Sequence, residues 1–361
     1  MRIAILGTRG FPSFYGGFET AVRELAPFFA KSGHQTFVYS RKASCRDNPH
    51  IENIEVIYSP SLNGTSLGTI THIMSSFVHI FFCKPDVILG FNVTCAVVGP
   101  ITRMLGVPLV INVDGLEWRR QKWGRTAKFV YFFLAVLAAK VSTRVISDSE
   151  NIQEYWQKTF NRNSDFIPYG GQECEMAALE DKDYFSDLLY VARFVPENSF
   201  DLFLDLVKIL PKHFKVIMVG SFSNSTKKQL MDFSEFLSTY TNVVYLGHIS
   251  NDEELFKYWK NTRVYFHGHT VGGTNPALVQ AMHCGANILA RNTVYNREVM
   301  DNAGHYFNDN LTSLAQIFYN MHGNDSTLKT KGEQARKRAI RLYSWDRISN
   351  EYLRLIEETI K

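Results

Sequence analysis

The sequence predicts an α/β protein of two domains, each built on a doubly wound parallel sheet. Three observations carry that prediction. Short apolar runs alternate with helix-period segments along the chain, the pattern of stacked strand–helix units. The 361 residues suffice for two domains, and a hydrophobic share of 45% with 14% aromatics fills two ordinary cores. A polar, acidic stretch over residues 171–186 interrupts the alternation, which then begins again.

The first domain is assigned to residues 1–170, with strands expected at 2–6, 35–39, 54–58, 86–89, 109–113 and 144–146. Between the first two, Phe18, Ala21, Val22, Leu25 and Phe29 recur at helical spacing, and Gly33 stands where a C-cap belongs. Pro27 inside that helix predicts either a kink or a break. Residues 171–186 form the expected linker. The second domain, 187–344, has strands expected at 188–191, 215–219, 243–246, 264–266 and 287–289. An amphipathic C-terminal helix, within 345–361, follows it. Two such sheets joined by one linker are expected to leave a ligand cleft between their C-terminal edges.

Composition narrows the partners. Charged residues make up 20% and the net charge is only +4, too weak for a nucleic-acid binder. Cys45, Cys83, Cys95, Cys174 and Cys284 are scattered without a CxxC pair, which argues for a reducing compartment. Met1-Arg2 leads straight into a buried strand, not a signal peptide. The apolar run 129–139 lies between Lys128 and Lys140, too short to cross a bilayer. A cytoplasmic protein, free or lying on a membrane surface, is expected.

The most informative motif follows the strand at 264–266. Gly272, Gly273 and Thr274 form a small-residue loop; Asn275 is a good N-cap and Pro276 suits the first helical position. Backbone N–H groups and the helix dipole there suit a diphosphate, although a tight turn into a core helix has the same pattern. Arg193 leaves the first strand of the second domain, where a guanidinium binds phosphate oxygens bidentately; a surface arginine is the plainer reading. In the N-terminal loop Gly16 and Gly17 allow close backbone approach to a ligand, while Glu19 either joins the site or only complements the helix dipole. Asp114 leaves the strand at 109–113 as a cleft residue or as a turn-forming Asx beside Gly115. Glu117, Trp118 and Trp123 offer a carboxylate and ring faces to a sugar. Arg119, Arg120, Lys122 and Arg125 precede the apolar segment, as an interfacial anchor or as the solvated cap of a core helix. His267 and His269 lack a third metal ligand, and no Asp-x-Asp pair is present to hold a cation.

Taken in order, Tyr15-Gly-Gly-Phe-Glu19, Asp114-Gly-Leu-Glu-Trp118, Ser147-Asp-Ser149, Ile167-Pro-Tyr-Gly170, Arg193-Phe-Val-Pro-Glu-Asn198 and Gly272-Gly-Thr-Asn-Pro276 span nearly the whole chain. This series resembles glycosyltransferase family 4, retaining enzymes of the GT-B fold with two Rossmann-like domains. More narrowly it resembles the rhamnosyltransferase branch that builds bacterial capsule and O-antigen. The resemblance implies metal-independent transfer without a cofactor, from a nucleotide sugar such as dTDP-rhamnose to a polyprenyl-diphosphate-linked glycan at the inner face of the membrane. It implies catalytic roles for Asp114 and Arg193. Donor contacts are expected from Gly16, Gly17, Arg193, Asn198, Gly272, Gly273, Thr274, Asn275 and Gln280, and acceptor contacts from Tyr15, Glu19, Glu117 and Trp118. The chain departs from the family pattern in three places. Asn198 replaces a diphosphate-binding lysine, and Gly272 and Gln280 replace the two glutamates of the loop–helix motif. A deoxyribose donor presents one hydroxyl fewer to Gln280.

Overall fold

The computed structural model describes residues 1–13, 16–41, 51–62, 66–120, 123–174, 184–222 and 225–361. They divide into two compact units, Met1–Tyr169 with Trp345–Lys361, and Gly170–Ser344.

In the first unit seven parallel strands run in the order β3-β2-β1-β4-β5-β6-β7. They are β1 (Arg2–Leu6), β2 (Gln35–Ser40), β3 (Ile54–Tyr58), β4 (Val87–Phe91), β5 (Leu109–Asn112), β6 (Arg144–Ser147) and β7 (Asp165–Phe166). β7 is too short to carry a periodic signal. It is anchored by the Arg144 guanidinium, which donates to both Asp165 carboxylate oxygens at 3.0 and 2.6 Å. The helices are α1 (Gly17–Lys31), α2 (Ser66–Cys83), α3 (Gly99–Met104), α4 (Arg125–Val141) and α5 (Glu150–Phe160). The step from β1 to β2 runs opposite in the sheet to the steps from β3 onward. Right-handed crossovers therefore put α1 on one face and α2 to α5 on the other.

α1 is continuous through Pro27. It ends where the Gly33 N–H donates to Ala30 O at 3.0 Å, with φ +82° at Gly33. The C-terminal helix, Trp345–Ile360, packs beside α1. Its Ile348, Tyr352 and Ile356 share a core with Leu25, Phe29 and Ile5, so it completes the first unit rather than extending the second.

The second unit has six parallel strands in the order β10-β9-β8-β11-β12-β13. They are β8 (Ser186–Val191), β9 (Val216–Val219), β10 (Val243–Tyr245), β11 (Thr262–His267), β12 (Ile288–Arg291) and β13 (His305–Phe307). The helices are α6 (Phe200–Ile209), α7 (Lys227–Thr239), α8 (Asp252–Lys260), α9 (Pro276–His283), α10 (Val294–Met300), α11 (Leu311–His322) and α12 (Asp325–Tyr343). Alternate side chains of β11 enter different cores. Val264 and Phe266 meet Tyr190 and Phe203, while Tyr265 meets Leu278 and Ile288. Both faces being covered, the centre of the strand, Val264–Phe266, reads as an unbroken apolar run.

Gly170–Cys174 packs with this second unit, where the Gly171 N–H donates to Tyr343 O at 2.7 Å. The linker residues 175–183, and Cys45, lie outside the described residues. Cys83, Cys95, Cys174 and Cys284 are free, the sulphurs of Cys174 and Cys284 being 2.7 Å apart. Among the described residues no helix is long and apolar enough to cross a membrane.

Candidate active site

In the second unit the site is built where β8, β11 and β12 end. β11 delivers the chain into the loop at residues 268–275, which enters α9 directly. The Asn275 side chain accepts the N–H groups of Ala277 and Leu278 at 2.9 and 3.3 Å, fixing the entry angle of the helix. The loop is tied down on both flanks. Thr270 gives its N–H and its hydroxyl to Glu197 O, each at 2.9 Å, and Ser199 Oγ donates to Gly268 O at 2.7 Å. A Cβ on Gly268 would lie 2.2 Å from Asn198 O, so only glycine lets the two segments approach this closely. From the other flank Asn296 Nδ2 donates to His269 O at 3.0 Å. Such a loop holds its N–H groups in place before any ligand arrives.

Arg193 is exposed just beyond β8. Asn198, in contrast, is buried, and both ends of its amide are engaged. Its Nδ2 donates to Arg193 O at 2.9 Å, and its Oδ1 lies 2.6 Å from His269 Nδ1. Because the amide N–H points at a carbonyl, its oxygen is the acceptor for histidine, which places a proton on Nδ1 of His269. Asn198 thus positions the Arg193 backbone and the His269 ring. His267 is a core histidine beside the Tyr265 hydroxyl, at 3.1 Å, and burial pushes it down to about 3. Gln280 accepts from Gln172 N and donates to Gln172 O, both at 2.9 Å, so its amide clasps the protein's own backbone. Gly272 adopts φ +108°, a backbone that glutamate rarely enters. Arg291, at the end of β12, pairs with Asp309 and approaches Ser199 Oγ at 3.5 Å. Sequence reasoning overlooked it because the expected strand stopped short of it; an arginine at a strand's C-terminal end was the available signal.

In the first unit a second polar cluster stands at the ends of β1, β5 and β6. Glu19, in the first turn of α1 beside Gly16 and Gly17, accepts the Arg9 N–H at 3.1 Å. Burial raises its carboxyl above the ordinary range, against the nearby Arg9 and Arg41 charges. Tyr15 lies outside the described residues. Asn112 makes the Asx turn, accepting Asp114 N–H at 2.9 Å, and Asp114 itself sits at φ +55°. Its carboxylate faces Arg120 at 3.5 Å. Arg120 also meets Glu117 at 2.7 Å, and Trp123 Nε1 donates to the other Glu117 oxygen at 2.7 Å. Trp118 donates to Tyr155 OH at 3.3 Å and packs edge-on against Phe132 and Phe160. Glu117 and Trp118 therefore brace the loop that carries Asp114. Two residues absent from the sequence-derived site belong here. Asp148 is buried at the end of β6, and Tyr352 of the C-terminal helix accepts from Asn112 Nδ2 at 2.6 Å. Burial, and then the Asp114 and Asp148 charges, raise the Tyr169 hydroxyl well above its usual value, so it stays protonated. Among the described residues no group of three His, Cys, Asp or Glu is placed to hold a metal ion.

Comparisons with known proteins bear on both units. Residues 1–172 match a family described as Domain of unknown function (DUF1972), and residues 175–337 match Glycosyl transferases group 1. The capsular polysaccharide biosynthesis glycosyltransferase CapH of Staphylococcus aureus is 24% identical over 153 residues. That match spans 41% of this chain and 41% of that relative. Among solved structures, a sucrose-phosphate synthase from Thermosynechococcus elongatus has a TM-score of 0.84 at 16% identity, covering 99% of this chain and 98% of that one. HepE of Anabaena, in complex with UDP, has a TM-score of 0.76 at 16% identity, covering 99% of this chain and 100% of that one. The chain therefore has the two-sheet architecture of GT-B glycosyltransferases, and its residues 175–337 are similar to the group 1 glycosyl transferases.

Proposed function

We propose that this protein transfers L-rhamnose from dTDP-rhamnose, with retention at the anomeric carbon and without a metal ion, onto a polyprenyl-diphosphate-linked glycan. The setting is the inner face of the cytoplasmic membrane, in the assembly of capsule or O-antigen. The observation that carries the reading is the tied-down glycine loop entering α9 beside the exposed Arg193, an arrangement suited to a phosphate. The role of the CapH relative in capsular polysaccharide biosynthesis supports the setting.

In this reading the second unit takes the donor. Arg193 and the N–H groups of Gly273, Thr274 and Asn275 stabilise the diphosphate as its bond to the anomeric carbon breaks. The acceptor oxygen forms its bond to that carbon on the same face, and its proton passes to a phosphate oxygen of the departing dTDP. No protein nucleophile is required. The first unit takes the acceptor, with Asp114 orienting the attacking hydroxyl. The amide of Gln280, engaged with the Gln172 backbone, supports a deoxyribose over a ribose. A UDP-sugar donor is the second reading, favoured by the UDP bound to HepE.

Thermal shift with dTDP, UDP, GDP and ADP, in the absence of divalent cation, decides between them. Selective stabilisation by dTDP is expected. Preference for UDP overturns the rhamnosyl donor but keeps a transferase, and no response to any nucleotide marks a non-catalytic subunit of a polysaccharide assembly complex.

A further inference from the structure

The sequence suggests Arg119, Arg120, Lys122 and Arg125, with the apolar run at 129–139, as an interfacial anchor. Arg119 is exposed and lies over the Tyr155 ring at 4.6 Å, while Arg120 is paired with Glu117 and Asp114. Lys122 lies outside the described residues. Arg125 and the apolar run lie in α4, which is part of a broader surface of the first unit with the needed chemistry.

α2 and α4 each carry two apolar stripes where one is the rule for a surface helix. On α2, Ile73, Phe77 and Ile80 enter the core, while Met74, Val78, Phe81 and Phe82, also at helical spacing, face outward. On α4, Tyr131, Leu134 and Ala138 are buried, while Phe129 and Phe133 are 70% and 59% exposed. Between them α3 ends on Met104, 86% exposed. These helices stand on the same face of the sheet and all pack on the 3₁₀ turn Val93–Val98.

The charges on that face have one sign. α2 contains no Asp, Glu, Lys or Arg, and α3 and α4 contain Arg103, Arg125, Lys128 and Lys140 but no acidic residue. Arg125 and Lys140 fall on the same stripe as Phe129 and Phe133, at the two ends of α4. Bulky apolar side chains fringed by cations alone match a leaflet of anionic lipid. A second copy would bring like charges together without counter-charges, and none of these helices is long and apolar enough to span a bilayer.

We infer that the α2–α3–α4 face of the first unit docks on an anionic bilayer, with Phe82, Met104 and Phe129 entering the acyl boundary and Arg125 and Lys128 meeting lipid phosphates. The inference rests on the membrane setting proposed above and adds the surface that meets it.

The test is co-sedimentation of the full chain with vesicles, either of phosphatidylcholine alone or of an equimolar mixture with phosphatidylglycerol. The protein is expected to pellet with the anionic vesicles and less with the neutral ones. The double variant Phe82→Ser, Phe129→Ser should lower the partition coefficient by at least roughly tenfold on both. Arg125→Glu with Lys128→Glu should lower it on anionic vesicles only. Thermal unfolding and the nucleotide response are measured on each variant, since these exposed side chains leave the cores intact. Wild-type protein remaining in the supernatant, or serine variants pelleting like wild type, overturns the inference. So does a wild-type dimer in light scattering that the serine variant converts to monomer, which assigns the face to self-association. The nucleotide response is read without vesicles, so failure here is distinct from failure of the transferase reading.

Discussion

Removing the Arg193 guanidinium should lower turnover about a hundredfold, the usual consequence of deleting one preorganised donor to a developing negative charge. Because the side chain is exposed, Arg193→Ala should unfold at the wild-type temperature. Steady-state kinetics beside a melting curve checks both halves, and a loss below about tenfold removes the residue from the chemistry. Asp114→Asn should reduce transfer while leaving nucleotide binding intact, and the reverse pattern would displace Asp114 from the acceptor side. Arg193 is legible in the sequence because an arginine leaving a strand needs no partner to be recognised. The roles of Asn198 and Gln280 are not, since they depend on hydrogen bonds to His269 and to Gln172, which lie far along the chain.

Strands and helices were legible wherever both faces of a strand are buried, as in β11, or wherever one helix stripe repeats over several turns, as in α1. β7 (Asp165–Phe166) and β13 (His305–Phe307) escaped because two or three residues that begin on a polar side chain make no apolar run, unlike the equally short β10 (Val243–Tyr245). At the strand ends the error was chemical as well as geometrical, since Arg291 belongs to β12 and thereby to the edge where ligands bind. β11 also sets a pH dependence. His267 titrates at about 3 in the fold against an ordinary 6.5, because burial disfavours its charged form. A depressed pKa means that its contribution is complete above about 6.5 and is lost as pH falls toward 3. Over that window stability should decline by up to roughly 1.4 kcal/mol per pH unit. Urea unfolding at several pH values should show the decline, with His267→Gln flattening it.

At the scale of the molecule, alternation of strands and helices was enough to recover two parallel sheets, because each βα unit announces itself locally. What local pattern could not convey is the destination of the last helix. Its amphipathic stripe is plain in the sequence, but nothing in that stripe tells which core receives it. The same limit hid Tyr352 from the polar cluster of the first unit, although Asn112, its partner, lies in a strand the sequence places well.

The return of the C-terminal helix to the first unit makes the second an insertion within it, between Tyr169 and Trp345. The ends of that insertion are already fastened, by the bridge between Gly171 and Ser344. On the ribosome, then, the part translated later should mature earlier. Residues 170–344 emerge as a self-contained body, while the first unit waits with an open hydrophobic groove along α1 until Ile348, Tyr352 and Ile356 are synthesised. Chains arrested after Ser344 should yield a protease-resistant fragment from the second unit and rapid digestion of the first. Equal resistance of both would mean that the first unit closes without its last helix.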